Sequence, residues 1–93
     1  MRKTVEIEYV GIEDVQDIMD DCYYLQKQGH YVNFEFKNVA STNKVEVYIM
    51  LGGWDVTREY NYHFEFSMSD SVDDVKVMNE CKNTLKNLLI EED

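Results

Sequence analysis

The stretch "HYVNFEFKNVASTNKVEVYIML", residues 30 to 51, contains two runs in which every second residue is apolar. This alternation is the period of a β-strand that buries one face. The runs predict strands at 30–37 and 44–51, and the short polar loop between them, "NVASTN", suits a hairpin. The side chains predicted to face the core are Val32, Phe34, Phe36, Val45, Val47, Ile49 and Leu51.

Two further runs alternate in the same way. The run "REYNYHFEF", 58–66, follows a turn built around Gly52 and Gly53, which readily take positive φ. Near the N-terminus, "TVEIEYV", 4–10, alternates Val5, Ile7 and Tyr9 with polar residues. The sequence thus predicts four strands, the last three forming an antiparallel meander. In the run at 58–66, the predicted inward residues are Tyr60, Tyr62, Phe64 and Phe66.

Two segments change to the helical period. Gly11 breaks the first strand, and from Ile12 to about Gln28 the apolar residues fall on one side of a helix that Gly29 is placed to end. A second helix follows a capping box of Ser71 with Asp74, or a cap at Ser69. The predicted stripes are Ile12, Val15, Ile18, Met19, Cys22, Tyr23 and Leu25 in the first helix, and Val75, Met78, Cys81, Leu85, Leu88 and Leu89 in the second.

The predicted order is β-α-β-β-β-α. Each strand has one apolar face and each helix one stripe, so both helices are expected to cover the same side of one sheet. The predicted fold is a single α+β domain over residues 1–93. It is a two-layer sandwich with a mostly antiparallel four-stranded sheet whose other face is open to water.

The composition limits the possible functions. Nineteen acidic against nine basic residues give a formal charge of −10, which repels nucleic acid and anionic membranes and favours a basic partner. No run is long and apolar enough to span a membrane, and the N-terminus lacks the apolar stretch of a signal peptide, which favours the cytoplasm. Cys22 and Cys81 are expected to be structural free thiols, although a single bridge is also allowed.

No residue pattern indicates catalysis, a cofactor or a metal. Both cysteines lie on predicted core stripes, away from His30 at a strand start and His63 on an outward strand face, so a Cys–His pair is not expected. The acids of the first helix have i, i+3 and i, i+4 spacing, which brings side chains together. Helical metal sites, however, are built in the core, and these acids point away from it. The protein is therefore predicted not to be an enzyme.

The stretch "EDVQDIMDD", 13–21, holds five acids and no base. Helical angles place Glu13, Asp14, Asp17, Asp20, Asp21 and Tyr24 opposite the core stripe. Five charges over ~12 Å of helix approach the charge density of duplex DNA, one per ~1.7 Å. The helix dipole explains Glu13 and Asp14, but not the three later aspartates. This face is predicted to bind a basic partner.

The open sheet face extends the predicted surface. Glu35, Glu46 and Tyr48 are expected to point outward there, although Lys37, Lys44 and His63 dilute the charge. Trp54, at the tip of the second connection, either folds back as a lid on the core or serves as an interface anchor. The predicted partner-binding residues are thus Glu13, Asp14, Asp17, Asp20, Asp21, Tyr24, Glu35, Glu46, Tyr48 and Trp54.

Two resemblances follow from these features. After the first strand, the element order α-β-β-β-α resembles double-stranded RNA-binding domains, but those grip phosphates with clustered lysines, whereas the last helix here mixes lysines with acids. In size and charge the chain resembles small acidic phage-encoded inhibitors, including anti-CRISPR proteins and other DNA mimics. The second resemblance implies a non-enzymatic inhibitor that occupies the basic groove of a nucleic-acid-handling enzyme, such as a CRISPR effector nuclease.

The sequence leaves two alternatives to such an inhibitor. One is an immunity protein or antitoxin that neutralises a basic toxin. The other is a small oligomeric domain, such as a homodimer, whose acidity serves only solubility.

Overall fold

The computed structural model describes residues 8–91. In chain order the elements are α1 (Ile12–Lys27), β1 (Tyr31–Val39), β2 (Thr42–Met50), β3 (Tyr62–Ser67) and α2 (Val72–Glu91). The strands form one antiparallel sheet in the order β1-β2-β3. The α+β class and the two helices are as predicted.

The predicted four-stranded sheet is wrong for the described part of the chain, in which the sheet has three strands. Of the predicted strand at 4–10, residues 4–7 lie outside the described residues, and 8–10 belong to no strand. The N–H of Val10 donates to the carbonyl of Ser69 at 2.8 Å, and Gly11 is already the N-cap of α1. Because the chain enters a helix here, it does not continue as a strand, and Tyr9 is exposed.

Both helices cover the same face of the sheet. α1 packs on β1, α2 packs on β3, and the helices pack against each other. Alternate residues of the strands point into this layer because the side chains of a strand alternate between faces. The buried core consists of Val10, Val15, Ile18, Cys22, Leu25, Val32, Val45, Val47, Ile49, Phe66, Val75, Met78, Cys81, Leu85 and Leu88.

The buried stripe of α1 is narrower than predicted. Ile12, Met19 and Tyr23 were expected to face the core, but each is about half exposed. The helix lies over the edge strand β1, so only the arc that faces the sheet and α2 is covered. The predicted stripe of α2 is confirmed, with Leu89 only partly buried.

The β1–β2 connection is tighter than the predicted loop at 38–43. The strands remain paired to Val39 and Thr42, leaving only Ala40 and Ser41 in the turn, with φ of 49° and 71°. Positive φ at both central residues matches the twist of the flanking strands, as in a type I′ turn. The polar composition predicted a turn here, but neither residue is one that favours this conformation.

The β2–β3 connection is longer than predicted, because β3 begins at Tyr62 and not at residue 58. The N–H of Asn61 donates to the carbonyl of Ile49, and the side-chain oxygen of Asn61 accepts from the N–H of Leu51 at 2.8 Å. Asn61 thus closes an eleven-residue loop, 51–61, which we call the Trp54 loop. The predicted inward direction of Tyr60 is wrong, since this residue precedes the strand.

Local signals at the helix ends are confirmed in part. Gly29 follows α1 with a φ of 98°, a conformation that favours glycine. At the start of α2, Asp74 does not complete a capping box with Ser71. Its carboxylate instead accepts from the N–H of Ser67 and the hydroxyl of Ser69, which joins the end of β3 to the helix.

Candidate functional site

The acids of α1 separate into two groups. Glu13, Asp17, Asp20 and Tyr24 are exposed on the side away from the sheet, as predicted. The side chains of these three acids form no hydrogen bond or ion pair with other described residues. They span only ~10 Å of helix, about one charge per 3.5 Å, which is half the DNA charge density.

The prediction that Asp14 and Asp21 share this outward face is wrong. Asp14 lies 2.9 Å from Lys82, and Asp21, which is 7% exposed, lies 3.0 Å from Lys86. Burial alone would raise the pKa of Asp14, but hydrogen bonds from Lys82 and from the N–H of Gly11 outweigh it and lower the pKa. In the second pair, the hydrogen bond from Lys86 to Asp21 favours the charged lysine and raises its pKa. These two aspartates join the helices and are not available to a partner.

The open sheet face is organised in rungs that cross the three strands. One rung aligns Glu35, Glu46 and Glu65 directly opposite one another. Like charges in this arrangement are destabilising unless they are neutralised. The next rung carries Lys37 and Lys44, which pair with the glutamates, Lys37 with Glu46 at 2.8 Å and Lys44 with Glu65. The face therefore has a carboxylate rung beside a lysine rung.

Glu46 is the centre of this charge network. Its side chain is only 12% exposed and accepts from Lys37 Nζ and from the hydroxyl of Tyr48, each at 2.8 Å, with His63 Nε2 at 3.5 Å. The hydrogen bonds from Lys37 and Tyr48 outweigh the effect of burial and lower the pKa of Glu46 to about 2. The carboxylate is thus fixed in place and ionised at neutral pH.

On the other side of the carboxylate rung lies an aromatic cluster, which we define as Tyr31, Tyr48, Trp54, Tyr60 and His63. Tyr48 stacks on His63 with ring centroids 4.2 Å apart and packs against Tyr60 at a tilt, with centroids 4.9 Å apart. The rings of Tyr31 and Trp54 have centroids 5.1 Å apart. The cluster is partly open to solvent, and Trp54 is 58% exposed. Of the two predicted roles for Trp54, a lid on the helix-side core is excluded, because the ring lies on the opposite face.

The Trp54 loop is held by specific contacts. Arg58 donates to the carbonyl of Leu51 at 3.0 Å and to that of Gly53 at 2.8 Å, and it lies 3.4 Å from Asp55. The Asp55 carboxylate in turn accepts from the backbone and hydroxyl of Thr57, and these bonds lower its pKa. The indole is therefore presented by an ordered loop.

Two other chemistries have weaker support. Ligand atoms of Glu46, His63 and Glu65 lie within 4.8 Å of one another, a spacing that a metal could bridge. However, lysines already neutralise both carboxylates, so a cation would have to displace them.

Cys22 and Cys81 are buried free thiols. Burial raises the pKa of Cys22 to about 12, so its thiol stays protonated at neutral pH and is not a nucleophile.

The structure places the predicted partner-binding residues on opposite layers. Glu35, Glu46, Tyr48 and Trp54 come together on the open sheet face, whereas the α1 acids lie behind the helix layer. Sequence reasoning missed Tyr60, which it turned inward, and it placed His63 on this face only as a residue that dilutes the acidic charge. The polar "REYN" before Tyr62 was the available signal that the loop continues past residue 58.

No family model, curated protein or solved structure matches this chain. Neither helix in the described range 8–91 is both long and apolar enough to cross a membrane.

Proposed function

We propose that the protein is a non-enzymatic binding protein that docks its open sheet face on a basic protein surface, and that it inhibits a nucleic-acid-handling enzyme by occupying its basic groove. The observation that carries the proposal is the junction of the aromatic cluster with the carboxylate rung. Aromatic residues are the commonest anchors of protein interfaces, and carboxylates select lysine and arginine. The proposed setting is the cytoplasm, where such enzymes act.

The arrangement suits arginine in particular. A guanidinium can stack on a ring of the aromatic cluster that borders the carboxylate rung while its N–H groups reach a carboxylate of that rung. Glu35 and Glu65 are suited to this contact, because their side chains are about 40% exposed and Lys37 and Lys44 approach them from the far side of the rung. Glu46 is the fixed centre between them.

The exposed acids of α1 have a different part in this proposal. Glu13, Asp17 and Asp20 lie behind the helix layer, too far around the molecule to share a flat contact with Trp54. Together with the net charge of −10, they attract a basic partner over distances up to the Debye length. They are therefore expected to affect the association rate more than the dissociation rate.

The test is retention of host proteins on the immobilised protein, followed by binding kinetics with the purified nucleic-acid-handling enzyme that is retained. Trp54→Ala is expected to weaken affinity by at least ~30-fold, the loss of a central anchor. The matched control Glu13→Gln/Asp17→Asn/Asp20→Asn is expected to slow association severalfold with little change in dissociation. Duplex DNA should compete, and raising salt from about 50 to about 300 mM should weaken binding.

Several outcomes would contradict the proposal. If no nucleic-acid-handling protein is retained, the proposed partner class is wrong. If Trp54→Ala binds as well as the wild type, the open sheet face is not the contact surface. If salt has no effect, charge does not drive the binding, and the proposed basic partner surface is wrong. If the α1 variant alone abolishes binding, the contact lies on the helix layer.

A further inference from the structure

The outer edge of β1 carries backbone groups that no strand in the described chain pairs. In an antiparallel pair, the N–H and C=O groups of successive residues point alternately toward and away from the neighbouring strand. The carbonyl of Val32 accepts a hydrogen bond from the side chain of Gln26 at 2.8 Å, which shows that it points away from β2. The same parity places the outward groups at Phe34, Phe36 and Asn38. The N–H of Val10 is bonded to Ser69, which follows β3, the other edge strand of the sheet.

An apolar flank accompanies this edge. The contact between Gln26 and Val32 shows that one side of α1 overhangs the outer edge of β1. Met19 and Tyr23 lie on that side, away from the aspartates that join α1 to α2, and they are about half exposed. Phe36, on the helix side of β1 itself, is 45% exposed. A long edge strand with exposed aromatic residues tends to pair with another strand unless charges, bulges or a covering segment protect it.

We propose that a second copy of this chain covers the edge, with the two β1 strands antiparallel about a two-fold axis at Phe36. In this register Phe36 faces Phe36 of the second copy, and Phe34 faces Asn38. Each of these pairs is a hydrogen-bonded pair, so about six backbone hydrogen bonds form. Neither Val32, which Gln26 already occupies, nor the turn at Ala40 is needed.

Charge selects this register over its neighbours. With the axis at Phe36, Glu35 faces Lys37 of the second copy, and the pair occurs twice by symmetry. An axis at Glu35 would oppose two glutamates, and an axis at Lys37 would oppose two lysines. An axis at Phe34 would set Glu35 against Asn33 and would demand the blocked carbonyl of Val32. The edge is thus self-complementary in one register.

The expected dimer is weak. The paired segment 33–39 is about 23 Å long, and with the flank of α1 it covers roughly 450 Å² on each copy, near the lower limit for a specific interface. The dimer joins two three-stranded sheets into one and leaves both aromatic clusters exposed. It therefore does not depend on the proposed function, which concerns the open face.

Sedimentation and amide exchange of the unmodified protein test the proposal. The weight-average mass is expected to rise from near that of a monomer at about 5 µM toward that of a dimer at about 500 µM. At a Kd of about 50 µM the fraction of monomer falls about fourfold over this range, so exchange of the amides of Phe34, Phe36 and Asn38 should slow about fourfold. The amides of Glu35 and Lys37, which already bond to β2, should stay protected at every concentration. A monomer at the highest concentration, or outward amides whose exchange does not change, would overturn the proposal.

Charge exchange then tests the register. Glu35→Lys and Lys37→Glu each place like charges opposite each other, so each single variant is expected to weaken dimerisation at least tenfold. The double variant Glu35→Lys/Lys37→Glu should restore it, because the two charges have only changed places. Circular dichroism verifies that each variant is folded. If the wild type dimerises and the folded single variants dimerise equally well, the register is wrong.

Discussion

Replacing Glu46 by glutamine should lower the stability of the fold in a way that depends on pH. The carboxylate is 12% exposed and has two hydrogen-bond donors at 2.8 Å, Lys37 and Tyr48. A charge-assisted bond of this kind contributes roughly 1.5 to 3 kcal/mol when it is shielded. Lys37 is half exposed, so screening reduces its share, and the flanking glutamates repel Glu46. We therefore expect a loss of about 1 to 2 kcal/mol at pH 7.

The pH dependence follows from the direction of the pKa shift. The folded protein lowers the pKa of Glu46 from 4.5 to about 2, so the carboxylate stabilises the fold fully above pH 4.5 and loses that contribution as the pH falls through 2. Urea unfolding of the wild type and Glu46→Gln, measured from pH 7 down to pH 2, should show two stability curves that converge over this window.

The matched control is Glu65→Gln, because Glu65 lies on the same rung but is 40% exposed and pairs with one lysine. It should change stability by less than ~0.5 kcal/mol at pH 7. Equal losses for the two variants, or a Glu46→Gln loss that is the same at pH 2 and pH 7, would refute the assignment of Glu46 as the shielded centre of the network.

Two further predictions concern the turn and the helix pair. The double change Ala40→Asn/Ser41→Gly should raise the free energy of unfolding by about 1 kcal/mol, since both positions have positive φ; chemical denaturation measures it, and no gain would argue against a type I′ turn. Asp21→Asn should lower the free energy of unfolding by about 1 to 2 kcal/mol, because the buried side chain loses the charge that Lys86 contacts. The exposed control Asp17→Asn should change stability by less than ~0.5 kcal/mol, and equal effects in thermal unfolding would contradict the assignment of Asp21 to the helix interface.

The period of the apolar residues predicted what depends on local geometry. The faces of β1 and β2, the stripe of α2 and the end of α1 at Gly29 follow from alternation, helical spacing and glycine conformation. The strand at 4–10 was predicted by the same alternation. Residues 8–10, however, belong to no strand, because Val10 bonds to Ser69 and Gly11 is already the N-cap of α1.

The errors at the candidate site come from contacts that are distant in sequence. Helical angles placed Asp14 and Asp21 outward, but their partners Lys82 and Lys86 are 68 and 65 residues away. Tyr60 and Tyr62 fit the alternation of a strand, but Tyr60 lies in the Trp54 loop. This loop is held by the bonds of Asn61 to Leu51 and of Arg58 to Leu51 and Gly53. A single sequence contains no pattern that signals the ion pairs between the two helices, whereas the polar residues before Tyr62 did indicate the longer loop.

The clamp of Arg58 on the Trp54 loop has a thermodynamic consequence for recognition. A tryptophan on a mobile loop must be ordered when a partner arrives, which costs affinity. Here the carbonyls of Leu51 and Gly53 are bound before any encounter, so the loop loses its conformational entropy during folding. Arg58→Ala should therefore leave the chemistry of the surface intact while making binding entropically less favourable, a change that calorimetry separates from the loss of a direct contact.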